Sequence, residues 1–369
     1  MREERKIKPG IKLYSLTFSM ILMAFLAWMS DYEKNPTEPD VASLQKIANS
    51  LAEYQNSQSR EEVSAGEVMA WIYPGKPACS ANAEVRSMKI DTVKPEYFIV
   101  LEGGKLDLMT EEKYGCNGFS LANVKELKNL SKNQYVTVSA NYSVNIKHFL
   151  ENDKNTGVYS KTLVDFVVNN NLTGIELDFE DFGGFDANLA SSYLAFVEKL
   201  GYKLHEHGKK LMVDLPAVRN KNEEGWYRIK YSDFNQLPVD YLVIMAYDYQ
   251  YDHGVGQPVS PLFWLREVAA YAKTNIHTLE KIVIGLPLYA YEGDMSSRKI
   301  NLLTIEQASF QPLWTHLVRD EGSKELIAKR DEKVLVVQDK VSLEEKIKTV
   351  KEAGINKVSL WHLGGSMFK

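Results

Sequence analysis

The segment Leu172-Thr-Gly-Ile-Glu-Leu-Asp-Phe-Glu-Asp-Phe182 alternates acids with large apolar residues. On a β-strand, side chains i, i+2 and i+4 share one face. Glu176, Asp178 and Glu180 then line one side, and Ile175, Leu177 and Phe179 the other. Three carboxyls in a row repel one another and raise one another's pKa. A fold keeps such a row where chemistry needs a carboxyl that still holds its proton near neutral pH. The same alternation also describes an ordinary strand with one solvated face. The elements around the strip decide between the two.

Those elements alternate short apolar runs with helical patterns from Val63 onward. The strand candidates are Val68–Tyr73, Tyr97–Leu101, Tyr135–Ala140, Gly174–Glu180, Lys210–Leu215, Tyr241–Tyr247, Lys281–Leu286 and Lys357–Trp361. Between them lie helical patterns such as Leu121–Leu130, Lys161–Asn170, Ala187–His207, Leu262–Thr274 and Leu343–Ala353. Strand–helix alternation indicates a parallel sheet with crossover helices. Eight strands in about 300 residues match an α/β fold of the (β/α)8 TIM barrel type. A doubly wound open sheet is the alternative, but no G-x-G-x-x-G follows an early strand. A short insertion, with a helix and an elaborated loop or small hairpin, is expected between strands seven and eight, from Tyr289 to about Asp339. In a barrel, Glu180 falls at the catalytic rim of strand four, and Glu176 and Asp178 point into the lumen. Burial and the neighbouring carboxyls then raise the pKa of Glu180, which suits a general acid.

The net charge of -5 gives no basic surface for nucleic acid, and a neutral or sugar-like substrate fits better than a polyanion. Arg2, Arg5, Lys6, Lys8 and Lys12 precede an uncharged run from Leu13 to Met29. Residues 1–30 are therefore read as a signal anchor, with a cleaved signal peptide as the rival. The protein is expected outside the cytoplasm, membrane-anchored or secreted. Residues 31–62 read as a stalk with an amphipathic helix, and residues 63–369 as the catalytic barrel. Cys79 and Cys116 are the only cysteines. In an exported protein they are expected to form a disulfide.

Thr173-Gly-Ile-Glu-Leu-Asp-Phe-Glu180 resembles the D-G-x-D-x-D-x-E signature of glycoside hydrolase family 18, the chitinase-like barrels. Met245-Ala-Tyr-Asp-Tyr249 resembles the family's strand-six segment. Ile284-Gly-Leu-Pro-Leu-Tyr289 resembles its strand-seven G-x-P-x-Y, and Val358-Ser-Leu-Trp-His-Leu-Gly364 its strand-eight segment. Val337-Gln-Asp-Lys-Val-Ser-Leu343 resembles the stretch before the last helix. The resemblance covers about Val68 to Gly365. It implies a retaining glycosidase acting on β-linked N-acetylglucosamine glycans by substrate-assisted catalysis. Chitin-type oligomers, peptidoglycan and N-glycan cores all carry the required acetamido group.

The resemblance makes Glu180 the acid and base, and Asp178 the partner of the acetamido N–H. Tyr247 orients the acetamido oxygen, and Glu176 shares a proton or hydrogen bond with Asp178. Trp361, Met245, Asp248, Tyr73 and Tyr289 are the implied substrate-binding residues. No metal or cofactor is implied, and a monomer is expected. The sequence departs from the signature at Thr173, at Glu176 and at Phe179, which stands where the family has Trp. The strand-three motif is only weakly echoed by Ser139-Ala-Asn-Tyr142. Two other classes compete: a chitinase-like carbohydrate-binding protein without turnover, which Glu180 argues against, and a metal-dependent barrel hydrolase, which would need His at strand ends. His205 and His207 read instead as the end of a long helix capped by Gly208.

Overall fold

The computed structural model describes residues 66–365, apart from 74, 76–79 and 152 and the side chains of 153–155. Eight parallel strands form a closed barrel. They are β1 (Glu67–Ile72), β2 (Thr92–Leu101), β3 (Asn133–Ala140), β4 (Gly174–Phe179), β5 (Lys210–Pro216), β6 (Tyr241–Met245), β7 (Ile282–Pro287) and β8 (Lys357–Leu363). Each pairs with its sequence neighbour, and β1 pairs with both β2 and β8, which closes the ring. All eight expected strands are present. β2 starts five residues earlier than expected, at Thr92, and β6 ends at Met245 rather than Tyr247.

Strands buried on two faces need apolar side chains toward the helices and whatever the lumen requires on the other side. In β4 the helix-facing set is Ile175, Leu177 and Phe179, all fully buried. Phe179 packs against Phe149, Tyr193 and Phe196, with ring centroids 5.7, 5.8 and 6.4 Å away. Tyr193 and Phe196 come from the helix Ala187–Glu206, whose start is fixed by Asp186 accepting from Leu189 N at 2.8 Å. That helix ends at Glu206 with Gly208 at φ 64, the expected left-handed cap. Gly174 opens β4 where a Cβ would lie 2.1 Å from the Lys210 carbonyl oxygen of β5, so only glycine lets the two backbones approach.

The segment after β7 is larger than expected. It carries a five-stranded antiparallel sheet, with strands Ala290–Asp294, Lys299–Leu303, Val318–Arg319, Leu326–Arg330 and Lys333–Val337, and a short helix at Ile305–Ser309. Its inner side buries Ala290, Ile305, Ala308, Leu313, Leu335 and Val337. The strands are short, and the central ones are apolar on both faces, with Tyr291, Val334 and Val336 buried opposite the first set, so their alternation is weak in the sequence.

The expected anchor and stalk, residues 1–30 and 31–62, lie outside the described residues. Among the described residues no helix is long and apolar enough to cross a membrane. Cys116 is disulfide-bonded. Cys79, the other cysteine of the chain, lies outside the described residues.

Candidate active site

Strand β4 delivers its acids into the lumen, as its alternation requires. Glu176 is fully buried, opposite Thr137 of β3 and Met212 of β5. Asp178, one pleat higher, is buried opposite Ser139. Its Oδ1 has no hydrogen-bond partner. Burial, then the charges of Glu180, Glu96 and Glu176, hold the Asp178 carboxyl well above the usual range, against the opposing pull of Lys94.

Glu180 follows the last residue of β4. Its N–H donates to the Ala140 carbonyl at 2.8 Å, so the backbone stays tied to β3 while the side chain reaches the rim. It is partly buried. Burial first, and then the charge of Asp248, raise its pKa. The expected general acid thus binds its proton more tightly than a free carboxyl, for the two causes that favour it.

The end of β6 presents Met245, Tyr247 and Asp248. The Tyr247 ring stacks on Trp361 of β8, 5.9 Å between centroids and 24° between planes. It meets Trp71 of β1 edge-on at 6.4 Å. Burial and the charges of Asp178, Asp214, Glu180 and Asp248 push its hydroxyl well above the ordinary value. It is therefore a hydrogen-bond donor across the working pH range. Room for the ring comes from Gly285 of β7, where a Cβ would lie 3.0 Å from Tyr247 Cε1. Asp248 has φ 67, an uncommon conformation for a non-glycine residue at a strand end. Its carboxyl accepts from the Tyr289 hydroxyl and, at 3.2 Å, from Gln250 Nε2. Tyr289 is buried at 2% exposure and bonds Asp248, so its influence on a ligand runs through that carboxyl. Tyr73, at the end of β1, is the most exposed of the expected site residues, at 45%.

Four lumen residues were missing from the sequence reading: Trp71, Lys94, Glu96 and Asp214. Lys94 is fully buried, ion-paired with Glu176, and its Nζ lies 3.1 Å from the centroid of the Trp71 ring. The second Glu176 oxygen accepts from Thr137 Oγ1 at 2.5 Å. The hydrogen bonds of Glu176 thus run to Lys94 and Thr137, not to Asp178 as expected. Asp214 of β5 is fully buried, and neither of its oxygens receives a donor. Glu96, at 5% exposure, is pushed up to about 8 by burial and by the charges of Glu176 and Glu180. Only Asp214 interrupts an otherwise apolar strand at lumen parity, and that single acid was the available signal. Outside the lumen, His205 Nε2 lies 2.9 Å from Asp240 Oδ2 and joins the helix end to β6.

The arrangement places one partly exposed acid, a buried acid two residues earlier and a tyrosine hydroxyl around an aromatic floor. Such a site can protonate a leaving oxygen and hold a polar group beside it. Among curated proteins, the cortical fragment-lytic enzyme of Bacillus subtilis is 24% identical over 262 residues, covering 66% of this chain and 59% of that protein. Among solved structures, the spore cortex-lytic enzyme SleL of Bacillus megaterium superposes with a TM-score of 0.66 at 17% identity, covering 83% of this chain and 72% of that one. The chitinase of Chromobacterium violaceum gives 0.66 at 20% identity, covering 83% and 97%. At these identities the structures establish the barrel fold. The family described as "Glycosyl hydrolases family 18" matches residues 24–365, and the chain belongs to it.

Proposed function

We propose that the protein is a retaining glycoside hydrolase that cleaves β-linked N-acetylglucosamine glycans with help from the substrate's own acetamido group. The observation that carries this reading is the position of Glu180. It stands at the rim of β4, two residues beyond Asp178, beside the Tyr247 ring that stacks on Trp361. Family membership supports glycoside hydrolysis.

In this reading Glu180 gives its proton to the glycosidic oxygen as the bond to the anomeric carbon breaks. The acetamido carbonyl oxygen attacks that carbon from the opposite face, and an oxazolinium ion forms. Asp178 holds the acetamido N–H and offsets the positive charge. The Tyr247 hydroxyl donates to the acetamido oxygen and aligns it for attack. Glu180, now a carboxylate, takes a proton from water as the water opens the ring. Net retention follows from two displacements. Family 18 is among the exceptions to the two-carboxylate scheme for this reason.

The relatives are named for spore-cortex lysis and for chitin, so both kinds of glycan belong in the assay. We read the basic, then apolar N-terminal sequence as placing the enzyme outside the cytoplasm. Incubation with chitin oligomers, purified peptidoglycan and a glycopeptide, with products read by mass, tests activity and substrate together. A thiazoline mimic of the oxazolinium ion should inhibit. Cleavage of substrates bearing a 2-hydroxyl in place of the acetamido group would overturn the mechanism.

A further inference from the structure

The lumen below the rim holds four buried acids and one buried base. Lys94 and Glu96 come from β2, Glu176 and Asp178 from β4, and Asp214 from β5. Tyr135 of β3, and Glu180, Tyr247 and Asp248 at the rim, face the same cluster, and Tyr193 faces it from the outer helix. A buried carboxylate is costly unless it is paired and hydrogen-bonded. One cation can offset one of the acids. That acid is Glu176, which takes Lys94 on one oxygen and the Thr137 hydroxyl on the other.

We propose that Lys94 is a positioning residue that stands in for a proton, neutralising Glu176 so that Asp178 owes it none and is free to serve the substrate. The inference rests on the glycosidase reading for what Asp178 serves, but the charge arrangement itself does not.

Three observations support it. The Lys94 ammonium is caged between the Glu176 carboxylate and the face of Trp71, which leaves it no route to solvent. A cation over an indole face is further stabilised there. Asp214 is buried beside Glu176, and neither of its oxygens receives a donor, so no cation or hydrogen bond offsets a charge there. Asp178 likewise has a bare Oδ1 rather than a bond to Glu176. Glu176 is therefore the acid that holds the cation, and in this proposal Asp178 and Asp214 beside it stay neutral.

The test counts protonated carboxyls by infrared spectroscopy of the full chain at pH 7, a readout that needs no turnover. Lys94→Met removes the cation, so Glu176 should take up a proton. The variant should gain one protonated-carboxyl band, and the double variant Lys94→Met/Glu176→Gln should lose it again. In active enzyme the single variant should also add one ionisation to the pH–rate profile. An unchanged band count overturns the proposal, because a merely structural lysine would leave the protons where they were. Should Lys94→Met not fold, Glu176→Gln decides. With the lysine left in place, one remaining acid should ionise to balance it, removing one protonated band relative to the wild type and moving the acid limb of the profile down by about one pH unit or more. The same number of protonated bands as in the wild type would refute it. Failure of the wild-type enzyme to cleave any glycan would sink the functional reading alone.

Discussion

Tyr247 and Trp361 lie face to face, 5.9 Å apart, although one follows β6, the other belongs to β8, and the whole of β7 separates them. Gly285 makes this contact possible, because any side chain there would meet the Tyr247 ring. Tyr289 and His362 meet Trp361 edge-on at 5.1 and 4.8 Å, so with Tyr247 three rings hold the indole. The residue stays partly exposed, and under the proposed function a sugar ring would stack there. Trp361→Ala should lower kcat/KM by roughly ten-fold or more, which corresponds to about 1.4 kcal/mol of lost stacking and alignment. Trp361→Phe should recover most of the loss. Steady-state kinetics on an N-acetylglucosamine oligomer checks both, and an unaltered kcat/KM in the alanine variant would remove Trp361 from the site.

Glu180→Gln keeps the shape of the acid and removes its proton. Turnover should fall by on the order of a hundred-fold or more. Oligosaccharide binding by calorimetry should persist, since the ligand-facing surface is otherwise unchanged. A second variant reads the electrostatics. Asp248 raises the pKa of Glu180, so Asp248→Asn should lower it and bring the alkaline limb of the pH–rate profile to lower pH. A limb that stays in place would mean that another group sets it.

The barrel and its acid were legible because they rest on local periodicity. Alternation in β4 requires that Glu176 and Asp178 share a face, and strand–helix alternation requires that the face be a lumen. Lys94 and Glu96 were not legible for an equally local reason. Pro95 between them breaks the reading of a strand, so the expected element began at Tyr97. In the fold, Pro95 is accommodated next to a register irregularity against β3, between Glu96 and Phe98. Asp214 was hidden by its single occurrence in an apolar run. One acid in a strand has no pattern, and its meaning appears only when β4 and β5 are laid side by side. The pairing of Glu176 with Lys94 rather than Asp178 spans 82 positions, which no local rule reaches.

The buried acids also set a pH dependence of stability. Glu96 has its folded-state pKa raised to about 8, chiefly by burial. A raised carboxyl binds its proton more tightly in the folded state. Its favourable contribution is complete below the unfolded value of about 4.3, declines as pH rises, and is gone once the pH has passed about 8. The slope from one such group is at most about 1.4 kcal/mol per pH unit. The wild-type melting temperature should therefore fall between pH 5 and pH 8, and Glu96→Gln should flatten that fall. Thermal unfolding across the pH range checks it, and a slope that the variant leaves unchanged would assign the effect elsewhere.

Glu84 ties the end of β8, and with it the strand that carries Trp361, to the helix Ala81–Met88. Its two carboxylate oxygens accept from the N–H groups of Gly364 and Gly365, each at 2.7 Å, and one also accepts from Ser80 Oγ at 2.9 Å. The segment is separated from Glu84 by some 280 residues, so the contact closes the first and last parts of the barrel on each other. Glu84→Ala would strand the buried Gly364 donor, costing about 1–3 kcal/mol if nothing replaces the acceptor, while the Gly365 N–H keeps Ser80 Oγ at 2.8 Å. The urea midpoint should fall by a corresponding amount with an unchanged m-value. Because β8 would be loosened below Trp361, KM for the oligosaccharide should rise while the pH of the alkaline limb stays fixed. That combination separates a loss of support from a loss of acid chemistry, and full stability with normal KM would show that Glu84 does not hold the strand.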